Sequence, residues 1–371
     1  MIVRKIALNG FRNYDWETAE FDSGTNVISG QNAQGKTNLL EAVYMLSCGR
    51  SFRTRFDREL VGFDYSEAEL LAEVYSHGRE QTVHIRFNPG RPKKILVNGV
   101  KKTAGELSDV VNAVLFCPDD LNLIKEGAAV RRRLLDNAIS QIRPRYAELL
   151  TEFNRLYEHK TRILKDWREK PSLLDTLDEF SDGMCRASAQ LIRYRASFAA
   201  RLNEAAPPIH REFSGEGETL SIAYKTVSTV RDPFAPAKEI YYDICDHQEK
   251  HRQAELDSCQ CLTGAHKDDL EIAINGRAAR SFASQGQTRT AALSLKLAER
   301  EIFLAETGEY PILLLDDVLS ELDSKRQEFV LNRIGGGQTL ITCCEDDEIS
   351  SRTGGRVMFV EGGRIRQRTS L

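Results

Sequence analysis

The residues best suited to chemistry lie in one run, Gly30-Gln31-Asn32-Ala33-Gln34-Gly35-Lys36-Thr37. Two glycines five positions apart let a backbone turn its N–H groups inward. A helix N-terminus just beyond adds partial positive charge, and Lys36 supplies a point charge for β- and γ-phosphates. Thr37 then offers a hydroxyl to Mg²⁺, and Asn38 completes the ATP-contacting stretch. The motif needs a strand before it and a helix after it. Thr25–Ser29 has the apolar character of a short buried strand, and Asn38–Leu46 that of an apolar helix. The competing reading is an ordinary glycine-bearing strand-to-helix turn, against which eight matched positions in the correct context weigh.

A phosphate loop alone leaves the chemistry open. Ile312-Leu313-Leu314-Leu315-Asp316-Asp317 narrows it, because an apolar strand delivers an acidic pair at its C-terminal end, where open α/β sheets bind ligands. Asp316 is expected to hold Mg²⁺ and Asp317 to polarise an attacking water, which makes Lys36, Asp316 and Asp317 the catalytic candidates. Ser320-Glu321-Leu322-Asp323 follows, with Asp323 at the same edge. Upstream, Ser284-Gln285-Gly286-Gln287 opens an amphipathic helix in which Ser284 can cap and Gly286 permits close approach. Phosphate loop, serine-glycine helix start and acidic pair in this order form the pattern of ABC-type ATPases. In that class the signature serine of one subunit covers the γ-phosphate held by the other, so one set of motifs per chain implies an ATP-joined homodimer.

The surrounding elements are expected to be strands at Ile2–Leu8, Glu69–Tyr75, Gln81–Phe87, Lys94–Val97 and Val110–Phe116, with Asn98-Gly99 as a tight hairpin turn. From Arg131 the period becomes helical. Two long amphipathic stretches broken at Lys170-Pro171-Ser172 suggest a helical hairpin that ends before Pro207-Pro208. A strand at Thr219–Val227 and a third helix at Lys238–Leu256 follow. The sheet period returns at Leu270–Ile274, then helix Gln287–Glu306, strand Pro311–Leu315, helix Ser324–Ile334 and strand Gln338–Thr342. The expected fold is therefore α/β, a P-loop head formed by 1–130 and 259–371 with an inserted α-helical arm lobe at 131–258.

The 371-residue composition, 41% hydrophobic and 29% charged with a net charge of -4, is that of an ordinary soluble protein and excludes wholesale attraction to nucleic acid. Basic patches are local. Gly49–Arg55 carries Arg50, Arg53 and Arg55, and Arg131 and Arg132 open the helical region. Lys160, Arg162, Lys165, Arg168, Arg186, Arg193, Arg195 and Arg201 stud the hairpin. These are the candidate DNA contacts, against the plainer reading of solvated charge. No apolar run approaches the ~20 residues of a membrane span, so a cytoplasmic location is expected. Eight irregularly spaced cysteines read as free thiols.

With these stretches in hand the chain resembles the RecF family, bacterial recombination-repair ATPases related to SMC-type heads. The matching segments are Phe11-Arg12-Asn13-Tyr14, Gly30–Glu41, Gly49–Thr54, Phe116–Lys125, Arg131–Asp136, Thr263–Leu270, Ser281–Glu299 and Leu314–Asp323. The resemblance implies an ABC/SMC-type head that dimerises with ATP on double-stranded DNA near gaps and single-strand/double-strand junctions. It also implies partnership with RecR and RecO in loading RecA. The chain departs from the pattern at Ala265 and Lys267, at Phe116-Cys117-Pro118, which lacks a glutamine, and at Thr342-Cys343-Cys344-Glu345, which lacks a histidine. Asp317 is shorter than the glutamate common in the wider class. Slow, DNA-stimulated hydrolysis is the expectation. A transporter ATPase subunit and a DNA clamp that binds ATP without turnover are the rival readings.

Overall fold

The computed structural model describes residues 1–215, 217–344 and 354–367. The chain forms two compact units, Met1–Leu121 with Lys296–Leu371, and Asn122–Leu295. In chain order the first unit opens with β1 (Ile2–Phe11), β2 (Tyr14–Glu20), β3 (Thr25–Ser29), α1 (Lys36–Cys48) and β4 (Ala68–Ser76). It continues with β5 (Arg79–Phe87), β6 (Lys94–Val97), β7 (Val100–Lys102) and β8 (Ala113–Phe116). The second unit carries α2 (Ala128–Ile142), α3 (Pro144–Asp166), α4 (Leu177–Ser214), β9 (Leu220–Lys225), α5 (Ala237–Ser258), β10 (Asp269–Ile274), β11 (Arg277–Ala278) and α6 (Ala279–Phe282). After α7 (Gln285–Thr307) the first unit resumes with β12 (Ile312–Leu315), α8 (Ser324–Arg333), β13 (Thr339–Cys343), β14 (Arg356–Glu361) and β15 (Arg364–Gln367).

Two six-stranded sheets build the first unit, in the orders β2-β1-β4-β5-β6-β7 and β15-β14-β3-β13-β12-β8. The first is antiparallel throughout. In the second, β14, β3, β13, β12 and β8 run parallel, and only β15 is reversed. Parallel strands are covered on both faces and therefore read as unbroken apolar runs. Ile312–Leu315 is buried at every position, as is Ala113–Phe116. Because β13 lies between β3 and β12, the loops that leave those two strands open at the same sheet edge with β13 between them.

The Asn98-Gly99 and Asn275-Gly276 pairs adopt positive φ, as tight hairpin turns require. β8 is shorter than the expected Val110–Phe116, since Gly105–Asp109 forms a 3₁₀ turn and the strand begins only at Ala113. The structure corrects a second expectation at Pro207-Pro208, where α4 runs on to Ser214. Each proline removes one helix hydrogen bond, but Ala206, Ile209, His210 and Phe213 are buried beyond them, so packing holds the turn that backbone bonding alone would release. The strands expected at Thr219–Val227 and Leu270–Ile274 are β9 and β10, which join β11 in a three-stranded antiparallel sheet within the second unit.

Candidate nucleotide site

The glycine loop leaves the end of β3 and enters α1 at Lys36. A Cβ on Gly30, whose φ is +154°, would meet the Val360 carbonyl oxygen at 2.3 Å, so only glycine fits. A Cβ on Gly35 would meet the Asn13 amide at 2.9 Å. The turn between β1 and β2 delivers that amide, and it braces the loop. Tyr14 donates its hydroxyl to the Gly35 carbonyl at 3.0 Å, and Asn13 Nδ2 donates to the Gln34 carbonyl at 2.9 Å. On the other flank, Gly362 N–H donates to Gln34 Oε1 at 2.6 Å and Gly363 N–H to the Gln34 carbonyl at 3.1 Å. Asn32 Oδ1 accepts from Cys344 Sγ at 3.1 Å, and Ala33 sits at φ 65°. Gln31 is exposed, and its carbonyl helps hold Lys36.

Lys36 is buried, its ammonium donating to the carbonyls of Gly30 at 2.6 Å and Gln31 at 3.2 Å, with Cys344 Sγ 3.7 Å away. Thr37 Oγ1 donates to Asp316 Oδ1 at 2.9 Å, and the Thr342 hydroxyl of β13 donates to the same oxygen at 3.0 Å. The Asp317 N–H donates to Thr342 Oγ1 at 2.7 Å. Burial pushes the Asp316 carboxyl upward, against the two hydroxyls that favour its charged form. Asp317 holds a left-handed φ of 50°, uncommon for a non-glycine, and its carboxylate has no partner among the described residues. A hydroxyl and a carboxylate oxygen side by side at the mouth of an N–H-lined loop suit a hard divalent cation, so Thr37 and Asp316 fit Mg²⁺. Thr342 escaped the sequence reading because only the strand order reveals that β13 lies between the two motifs.

The basic loop after α1 folds onto this site. Glu41, fully buried, is gripped by Arg12 through bonds of 2.7 and 2.8 Å, by the Ser51 hydroxyl, and by Arg53 at 3.7 Å. Arg53 also donates to Asn38 Oδ1 at 2.6 Å, and Asn38 donates to Asn13 Oδ1 at 2.7 Å. Arg50 and Arg55 are exposed. Asp323 caps α8 by accepting the Arg326 N–H at 3.0 Å.

In the second unit, Ser284 and Gln287 form a reciprocal cap at the start of α7. The Ser284 N–H donates to Gln287 Oε1 at 2.8 Å and the Gln287 N–H to Ser284 Oγ at 3.2 Å. Gln285 is exposed and Gly286 partly so. Arg131 is not a surface cation. It is 3% exposed, pairs with both Asp269 oxygens at 2.7 and 2.9 Å, and donates to the Glu126 carbonyl at 2.8 Å. Arg132 is half-buried and donates to the Asp268 carbonyl at 2.7 Å. Lys160 and Arg195 are likewise internal, Lys160 paired with Glu255 at 2.8 Å and Arg195 with Asp136 and Asp268. Arg131, Lys160 and Arg195 are buried and committed to ion pairs within the unit, whereas Arg132 stays partly exposed. All eight cysteines are free, and no cluster of metal-ligating side chains occurs among the described residues. Glu345 lies outside the described residues.

A parallel sheet with a glycine phosphate loop after one strand and an acidic pair after another defines an ABC/SMC-type P-loop ATPase head. The family model described as RecF/RecN/SMC N terminal domain matches residues 2–359. A protein of Acetivibrio thermocellus named DNA replication and repair protein RecF is 39% identical over 98% of this chain and 99% of its own. A protein of the same name from Clostridium botulinum is 36% identical over 99% of this chain and 100% of its own. Among solved structures, one described as the recombination mediator protein RecF-ATPrS in RecFOR pathway superimposes with a TM-score of 0.92. It is 34% identical and covers 99% of this chain and 98% of that one. The chain belongs to the RecF family. No helix among the described residues is long and apolar enough to cross a membrane.

Proposed function

We propose that this protein is a cytoplasmic, ATP-operated DNA-binding switch of recombinational repair and replication restart. In this reading two copies close over ATP on double-stranded DNA near gaps, with weak, DNA-stimulated hydrolysis to release them. The backbone from Gly30 to Gly35, with Lys36, binds the phosphates. Thr37 and Asp316 hold Mg²⁺, which when bound neutralises phosphate charge, and Asp317 orients water. Ser284 to Gln287 act on the nucleotide of the second copy. Similar structures described as belonging to the RecFOR pathway support RecO and RecR as partners, and RecA loading is the further part of this reading.

The observation that carries this reading is the meeting of Thr37, Asp316 and Thr342 oxygens within 3.0 Å at the loop mouth, beside an Asp317 whose carboxylate has no partner among the described residues. Light scattering of the purified chain, with and without ATP, Mg²⁺ and a short duplex, tests it. An ATP-dependent doubling of mass that DNA favours and Ser284→Arg abolishes is expected. A mass indifferent to ATP refutes the switch.

A further inference from the structure

The second unit contains a cavity of about 310 Å³ bordered by α4 and α5, with Ser181, Asp182, Cys185, Cys245, Gln248 and Arg252 in its lining. Two of the chain's eight cysteines therefore face one space. Cys185 is 2% exposed and packs with Ile192, Ile240 and Ile244 in the core that fixes one helix on the other, and the half-buried Cys245 lies against that core. The Cys245 thiol is a hydrogen-bonding neighbour of the Cys185 sulfur. Burial first, and Cys245 second, push the Cys185 thiol well above its ordinary range. Ser181, one helical turn before Cys185, is 6% exposed, and its hydroxyl has no hydrogen-bond partner among the described residues. The acids at the rim are committed, Asp178 to Arg252 and Asp182 to Arg186 at 2.7 Å. No group of side chains among the described residues, these included, converges as a metal site requires.

Two thiols that meet across packed helices, one sealed and one reachable from solvent, match an attacking and a resolving cysteine. We propose that Cys185 and Cys245 form a reversible disulfide that ties α4 to α5 in the presence of a low-molecular-weight disulfide. Cys245, the more accessible, attacks the small disulfide as its thiolate, which gives a mixed disulfide and releases one small thiolate. That thiolate takes the Cys185 proton. The Cys185 sulfur then displaces the second small thiolate from Cys245, and this one takes up the proton that Cys245 gave to solvent. The protein loses two hydrogens with their electrons, and the small disulfide is reduced to two thiols. The Ser181 hydroxyl, uncommitted in the same cavity, can donate to the Cys185 thiolate that burial otherwise disfavours. The link joins residues 185 and 245 and restricts the unfolded chain more than the folded one, where the two sulfurs already meet. The proposal stands apart from the ATP and DNA readings.

The test incubates the reduced, full-length chain with oxidised glutathione under native conditions, alkylates the remaining thiols, digests without reductant and reads the peptides by mass spectrometry. A peptide pair joined through Cys185 and Cys245, with two fewer of the eight thiols left to alkylate, is expected, and dithiothreitol is expected to reverse both. The oxidised chain should unfold at least about 5 °C above the reduced one. Cys245→Ser is expected to abolish the joined peptides and that rise, with far-ultraviolet circular dichroism as in wild type. Ser181→Ala is expected to slow joining severalfold, and an unchanged rate removes Ser181 from the step. Cys245 recovered only as its glutathione adduct overturns the proposal. So do joined peptides that pair either cysteine with another, or that form only once urea has unfolded the chain. Equal unfolding midpoints for the oxidised and reduced chains overturn the tie between the helices.

Discussion

Replacing Arg195 with methionine removes the centre of the buried polar network in the second unit. Arg195 is 2% exposed. Its Nη1 donates to Asp268 Oδ2 and to the Ala265 carbonyl, both at 2.6 Å. Its Nε and Nη2 donate to Asp136 Oδ1 at 3.0 and 2.8 Å. The Asp268 carboxylate has no solvent contact and, among the described residues, otherwise accepts the hydroxyls of Tyr224 at 2.5 Å and Thr226 at 2.7 Å. Methionine fills the space but leaves Asp268 as a buried, uncompensated charge, which costs about 3–5 kcal/mol. That is a large share of the ~5–15 kcal/mol that holds a domain folded. Burial already drives the Asp268 carboxyl above its ordinary range, more strongly than Arg195 and the hydroxyls lower it. Without Arg195 it rises further. A carboxyl whose folded pKa exceeds its unfolded one costs stability above the folded value, and the cost fades as pH falls through it. Urea unfolding should therefore show the full deficit near neutral pH and a smaller one in mild acid. Adding Asp268→Asn to the variant should recover about 1–2 kcal/mol, because an amide carries no charge to desolvate. A deficit under ~1 kcal/mol, or one that grows in acid, would refute the reasoning.

Two further outcomes follow from the same kind of geometry. Gly30→Ala forces a methyl group to 2.3 Å from the Val360 carbonyl oxygen, so ATP affinity by calorimetry should fall at least tenfold and the unfolding midpoint should fall with it; an unaltered affinity contradicts the phosphate-loop assignment. His266 packs on Tyr157 and Phe153, its Nε2 lies 3.0 Å from the Cys261 carbonyl oxygen, and burial lowers its pKa from 6.5 to about 4. As pH falls from 6.5 to 4 the unfolded chain takes the proton first, so stability intact above that window drains within it, by up to about 3 kcal/mol. His266→Phe should flatten this part of the pH–stability curve, and an unaltered slope would place the acid sensitivity elsewhere.

What the sequence made legible was local. The strand, glycine loop and helix around Lys36 announce themselves because phosphate binding, turn geometry and helix start all fall within eight consecutive residues. The Asn98-Gly99 turn is equally local, since positive φ is a property of the dipeptide. Asp316 and Asp317 were readable because a fully apolar strand precedes them. The charges that fared worst, Arg131, Lys160 and Arg195, are cations whose partners lie far along the chain: Asp269, Glu255, and Asp136 with Asp268. Helical periodicity ranks faces by apolar content and so assigns a buried arginine to solvent. Thr342 failed for a related reason, because its role depends on β13 standing between β3 and β12. β14 and β15 lie beyond the last strand read from the sequence, and the Gly362-Gly363 turn between them braces Gln34.

The two halves of the proposed ATP site are prepared in opposite ways. Ser284 Oγ accepts the Gln287 N–H at 3.2 Å and keeps its own proton to donate, so a phosphate oxygen can be met there without breaking the cap. Lys36 has its ammonium engaged by two carbonyls and must trade them for phosphate oxygens. Exchange of one set of bonds for another yields less than a fresh contact, and charge on the phosphate decides its direction. In the proposed two-copy site, the serine of the second copy adds a contact that needs no such exchange. That asymmetry favours ATP as a joint between copies over ATP as a tightly kept ligand of one.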